Sequence, residues 1–197
     1  MPTEAFFKLD ENKKQQIMDA AVKEFSTLPY AKVSVFKIAQ HAGVSRSGFY
    51  YYFKDKKDVY VYILDMIRDD FLEEYKLTGN PEIELFQLAE NIFDYIADLK
   101  GTDREPLFRR IVADITPENL KEFMVTDCCD ETMGNKISID MTNLKAISVQ
   151  ELKGVVFLLA TSIIYSVSQY FEDEATLEEG KNKLYQMFKI IKHGISI

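Results

Sequence analysis

"GVSRSGFYYYFKDKKD", residues 43–58, decides how this chain is read. Three consecutive tyrosines, Tyr50 to Tyr52, stand between Phe49 and Phe53, and four cations accompany them: Arg46, Lys54, Lys56 and Lys57. The stretch follows "SVFKIAQHAG", residues 34–43, in which Val35, Ile38 and Ala39 repeat at helical spacing. Ser34 reads as the cap of that short helix. Gly43 permits the left-handed turn that ends it, and Ser45 reads as the cap of a second helix. Helix, tight turn, helix is the helix-turn-helix pattern, whose second helix enters the major groove of duplex DNA.

The residue types suit that reading. Ala39 is small where the two helices cross, and Val44 and Phe49 are placed to fill the space behind them. Arg46, Ser47, Tyr50 and Tyr51 form the remaining, outward face of the second helix. An arginine there can donate two hydrogen bonds to guanine O6 and N7. A tyrosine hydroxyl reaches phosphate and fixes register. Lys54, Lys56 and Lys57 lie at the start of the following helix, where their charge and the free backbone N–H groups favour an anion.

The charge distribution agrees. The 197-residue chain has a formal net charge of −8. Residues 1–58 hold ten Lys or Arg against seven Asp or Glu, a net +3, and the remainder carries −11. A basic head on an acidic body is expected when one end meets phosphates. Composition is otherwise that of a helical globular protein: 47% hydrophobic, 28% charged, eight Gly and five Pro. The longest apolar run, residues 154–170, contains Ser, Thr and Gln and reads as a buried helix rather than a membrane span. With no apolar leader at the N-terminus, a cytoplasmic location without membrane attachment is expected. Cys128 and Cys129 are adjacent and cannot staple the fold, so reduced thiols are expected. Two distant histidines, His41 and His193, give no metal site; each reads as a helix-end residue. No Gly-rich phosphate loop, activated nucleophile or paired carboxylates with a base occur, so no enzyme activity and no cofactor are expected.

Helical periodicity runs along the whole chain, and no alternating strand pattern of useful length is found, so the expected class is all-α. Helices are expected from Asp10 to before Pro29, over the two short segments above, and over 56–77 with Asp55 as cap. Others follow over 81–99, 104–115, 116–125, 149–171 and from a Thr176 capping box to about His193. Residues 126–147 read as a loop with helical pieces. The domains are 1–58, a DNA-binding head of three helices, and 59–197, a helical body.

"IMDAAVKEF" (17–25) and "VSVFKIAQHAGVSRSGFYYYFKDKKDV" (33–59) resemble the tetracycline-repressor (TetR) family of bacterial transcription regulators. Pro29 departs from that pattern, which has glycine near this point, and Ser34 stands in place of threonine. The resemblance implies a DNA-binding head, a divergent ligand-binding body and a homodimer formed by the last two long helices. It places Arg46 and Ser47 at base-reading positions, Tyr50 and Ser34 on phosphate, and Lys56 at the linking helix. Tyr52 falls where the family has an aromatic residue or histidine. Lys37, Ser45 and Tyr51 complete the expected DNA-facing set, whose partner is a double-stranded operator. The function implied is a repressor released by a small, mostly apolar ligand; the alternatives are a DNA-binding protein without effector and a helical enzyme. The aromatic residues of the body are core by default. Those expected to line a ligand cavity, with polar anchors among them, are Phe93, Tyr95, Phe108, Phe123, Thr161, Ser162, Tyr165 and Gln169.

Overall fold

A computed structural model describes residues 1–77, 82–115, 138–140 and 148–195. Its helices are α1 (Glu4–Phe7), α2 (Glu11–Thr27), α3 (Val35–His41), α4 (Arg46–Tyr52), α5 (Lys56–Glu74), α6 (Leu85–Asp98), α7 (Glu105–Asp114), α8 (Val149–Phe171) and α9 (Leu177–Ile195). The expected all-α class holds, with one addition. Strands β1 (Glu82–Glu84) and β2 (Ser138–Asp140) pair in parallel, Ile83 opposite Ile139. Three residues are too few to show alternation, so sequence periodicity finds no strand here. The helix expected from Pro81 therefore starts four residues later, at Leu85. The expected helix 116–125 and the loop 126–147 lie largely outside the described residues, as do Phe123, Cys128 and Cys129.

The chain divides into two compact units: residues 1–70 with 103–114, and residues 71–102 with 115–197. The first unit is larger than the 1–58 head, because it includes most of α5 and all of α7. Its helix ends follow the local sequence. Asp10 accepts from the Lys13 amide (2.9 Å) and Asp55 from the Asp58 amide (2.8 Å). Gly43 takes φ +62°. The Val44 amide then reaches the Ala39 carbonyl (2.9 Å) and the Gly43 amide that of Gln40 (3.2 Å), which is the Schellman ending. Ser34 departs from expectation: it stands at the N-cap position, yet its side chain makes no capping bond.

Ile17, Ala21, Phe25, Ile38, Ala39, Phe49, Phe53 and Val59 form the core of this unit, all essentially inaccessible. Burying each large side chain contributes roughly 1.5–3 kcal/mol. Helix α7 packs on α2. Its Asp114 accepts from the Tyr30 amide at 2.8 Å and is paired to Arg110 at 2.9 Å. Tyr60 is buried beside this group. Burial first, and then the Asp114 charge, push its phenol well above the usual range. Glu24, buried on α2, pairs with His41 Nδ1 at 3.3 Å. His41 therefore ties the end of α3 to α2 instead of only facing solvent.

In the second unit α8 packs on α6 and α9. Phe93, Val167, Phe171 and Leu184 are fully buried, and Phe86 meets Phe188 edge-on at 5.8 Å. Capping boxes open the two long helices. Ser148 with Glu151 starts α8. Thr176 Oγ1 accepts from the Glu179 amide (3.2 Å) and Glu179 from the Thr176 amide (2.8 Å) to start α9. By length and composition α8 would also pass as a membrane span. It buries Ser162 and Ser166 and exposes Leu158 and Tyr165.

Candidate nucleic-acid interface

Helix α4 is held at its start by Ser45, whose Oγ accepts from the Gly48 amide at 2.9 Å. The same Oγ lies 2.9 Å from Ser47 Oγ. Ser45 therefore caps, as expected, and its hydroxyl is committed within the protein. Phe49 turns inward and is buried, which leaves Arg46, Ser47, Tyr50 and Tyr51 exposed on the opposite side. Tyr50 is 45% and Tyr51 67% exposed, high for tyrosine in a packed domain. The Arg46 guanidinium stands 6.0 Å from the Tyr50 ring centre, so the two share one surface. Lys37 and Lys54 are exposed as well, and Ser34 is half-buried. Tyr52 is half-buried, with its ring edge-on to Phe6 at 6.5 Å.

Lys56 is half-buried and directed at the protein's own backbone. Its Nζ donates to the carbonyls of Tyr30 (2.7 Å), Ala31 (3.2 Å) and Val33 (3.4 Å), and lies 4.6 Å from the Tyr30 ring centre. The ammonium thus holds the 3₁₀ turn Tyr30–Lys32 that leads into α3. Pro29, the departure from the family pattern, stands directly before this turn. Lys56→Met keeps the aliphatic stem and removes three charge-assisted donors. It is expected to lower unfolding free energy by roughly 1–3 kcal/mol in urea denaturation without DNA. Unchanged stability together with weaker DNA binding would return Lys56 to a direct phosphate role.

Three groups were not legible in advance. Lys13 Nζ donates to the carbonyls of Ala42 (2.9 Å) and Gly43 (3.3 Å), closing the end of α3 from α2. Asp114 holds the turn at Tyr30 from far along the chain. The aromatic segment α1, with Phe6 and Phe7, packs on α4.

The expected ligand-lining residues are dispersed. Phe108 is buried in the first unit, and the other described ones lie in the second. Phe93 and Tyr95 are buried on α6, Tyr95 edge-on to Phe71 at 5.5 Å. Thr161 Oγ1 donates to the Phe157 carbonyl (2.5 Å) and Ser162 Oγ to that of Leu158 (2.8 Å), so both hydroxyls serve their own helix. Gln169 Nε2 donates to Glu174 at 2.5 Å. Tyr165 is half-exposed, on the face of α8 that also exposes Phe157 and Leu158. Ser166, not singled out in the sequence, is fully buried, and among the described residues its Oγ has no hydrogen-bond partner.

Residues 17–63 match the family model described as bacterial regulatory proteins, tetR family. The chain is 31% identical over 104 residues to the HTH-type transcriptional regulator AcrR of Shigella flexneri, which covers 50% of this chain and 47% of that protein. It is 37% identical over 67 residues to the HTH-type transcriptional regulator HbdR of Aromatoleum sp. (strain CIB), covering 34% and 29%. The chain thus spans less than half the length of these curated relatives. The crystal structure of a TetR transcriptional regulator from Rhodococcus sp. RHA1 superposes with a TM-score of 0.55 at 12% identity, over 95% of this chain and all of that one. That likeness is one of fold. Its helix-turn-helix segment, residues 17–63, is thus that of the tetR family of bacterial regulatory proteins, and its described residues share the fold of a TetR transcriptional regulator.

Proposed function

We propose that this protein is a cytoplasmic transcription regulator that binds duplex DNA as a homodimer and acts by binding rather than catalysis. The observation that carries the reading is the outward face of α4. Arg46, Ser47, Tyr50 and Tyr51 stand exposed on a short helix, inside the segment that matches the family model. Arg46 reads a base edge, Tyr50 and Tyr51 set register on phosphate, and Lys37 and Lys54 add sequence-independent attraction. Two heads of a dimer then meet successive half-sites. Repression follows where the operator overlaps a promoter.

The test begins with selection of duplexes from a random library by the purified protein. Arg46→Ala is expected to weaken binding to the selected sequence by about 1–3 kcal/mol, with little change on a scrambled duplex. Equal loss on both sequences would make Arg46 a phosphate contact, and no loss on either would remove α4 from the interface.

The body is proposed to bind a mostly apolar effector that releases DNA. Phe93, Tyr95 and Ser162 are the buried members of the expected set in the second unit, and the unpaired Ser166 hydroxyl supports a polar anchor there. Such a ligand must bind the DNA-free state more tightly than the bound state. A compound screen that shifts neither melting temperature nor DNA affinity would favour the alternative, a regulator without effector.

A further inference from the structure

Helix α4 has seven residues, fewer than an isolated helix needs to persist in water. Its start is secured by Ser45. Its end carries no glycine: Phe53 follows in an extended conformation (φ −133°, ψ 135°) and bonds only the Phe49 carbonyl through its amide. The last carbonyls of a helix need partners from elsewhere. At α4 they come from Thr3. The Thr3 amide donates to the Tyr52 carbonyl at 2.9 Å, and its hydroxyl donates to the Tyr51 carbonyl at 2.8 Å. Thr3 is kept in place by Phe6, which is 1% exposed. The Phe6 ring lies 4.8 Å from Phe53 and 5.4 Å from Tyr62, and meets Tyr52 edge-on. Phe7 meets Tyr62 at 6.1 Å, and Pro2 is buried.

We infer that Thr3, seated by Phe6, is a positioning residue for DNA reading: it replaces the missing C-terminal cap of α4 and fixes the last turn that carries Tyr50 and Tyr51. The inference rests on the DNA-binding reading above and adds a determinant outside the helix-turn-helix. Without the Thr3 hydroxyl the last turn frays in the free protein, and only the ordered fraction is competent to bind. The apparent dissociation constant rises by the inverse of that fraction.

The experiment uses the full chain at 25 °C, the duplex enriched by the wild type from a random library, and its scrambled counterpart. Thr3 is exposed, so Thr3→Val preserves shape and fold while removing the donor. It is expected to bind the enriched duplex roughly three- to twentyfold more weakly, the range that loss of one helix cap supplies. Amide exchange is expected to accelerate at residues 50–53 and not in α3. Thr3→Ser restores the donor and is expected to recover affinity to within about twofold of wild type. A general loss of stability would not produce this pattern, because a protein well below its melting temperature stays folded in both variants. Wild-type affinity in Thr3→Val overturns the inference, and so does a loss that Thr3→Ser fails to recover. A wild-type protein that enriches no duplex overturns the DNA-binding reading and takes the inference with it.

Discussion

Leu158→Glu is expected to turn the protein into a monomer in sedimentation and to weaken binding to its own DNA sequence by at least about 100-fold. Leu158 is 51% exposed on α8, with Phe157 and Tyr165 exposed beside it, and α9 exposes Tyr185 and Ile190, the latter at 75%. Single exposed apolar side chains are ordinary, but these lie on two adjacent long helices of one unit. Both helices already pack on their own unit through Val155, Leu159, Ile163, Leu184 and Phe188. The second apolar face is proposed to meet its counterpart in another copy, a self-complementary arrangement. A carboxylate in that contact would lose its hydration. Separating the copies removes the high effective concentration of the second head, which is where most of the affinity for a two-part site resides. The salt dependence should also fall by about half, because half the phosphate contacts disappear. A variant that stays dimeric and keeps wild-type affinity would move the dimer contact elsewhere.

The second large effect is on stability. Phe53→Ala is expected to cost about 3–5 kcal/mol in urea denaturation. Phe53 is fully inaccessible and its ring is shared by three neighbours: Phe6 at 4.8 Å, Phe49 at 5.5 Å and Tyr62 at 6.4 Å. These belong to α1, α4 and α5, so one ring joins the N-terminal segment, the DNA-facing helix and the long helix after it. Its removal leaves a cavity that helices on three sides cannot easily close. Against a typical total of 5–15 kcal/mol, such a loss is enough to populate an unfolded head at growth temperature. A loss below about 1 kcal/mol would mean that the surrounding rings repack.

Much of the first unit was legible because its signals are local. Asp10, Ser45 and Asp55 cap the helices they precede, Gly43 takes the left-handed conformation, and Phe49 faces inward while Arg46 and Tyr50 face out. Each depends on groups within four residues or so, where spacing along a helix settles geometry. The same holds for the capping boxes of α8 and α9. Ser34 shows the limit of such signals: the right residue type occupies the cap position without making the bond.

The body was less legible for a physical reason. Helix α8 is apolar on more than one side, so its spacing could not say which face is core and which exposed. The structure buries Leu159, Ser162, Ile163 and Ser166 and exposes Leu158 and Tyr165. Thr161 and Ser162, read as ligand anchors, donate their hydroxyls to carbonyls of their own helix in this structure, the local alternative open to any such residue.

By itself, then, the sequence determined the helical class, the helix-turn-helix and the outward face of α4, since periodicity and capping act over one or two turns. The tertiary structure alone decided what joins distant parts of the chain. It set the Lys56 ammonium on the carbonyls of the turn at Tyr30, and it brought Asp114 to that same turn. It also set Thr3 on the last carbonyls of α4. A lysine, an aspartate or a threonine carries the same donors and acceptors wherever it stands. Which partner it finds depends on backbone groups dozens of residues away, which no local pattern encodes.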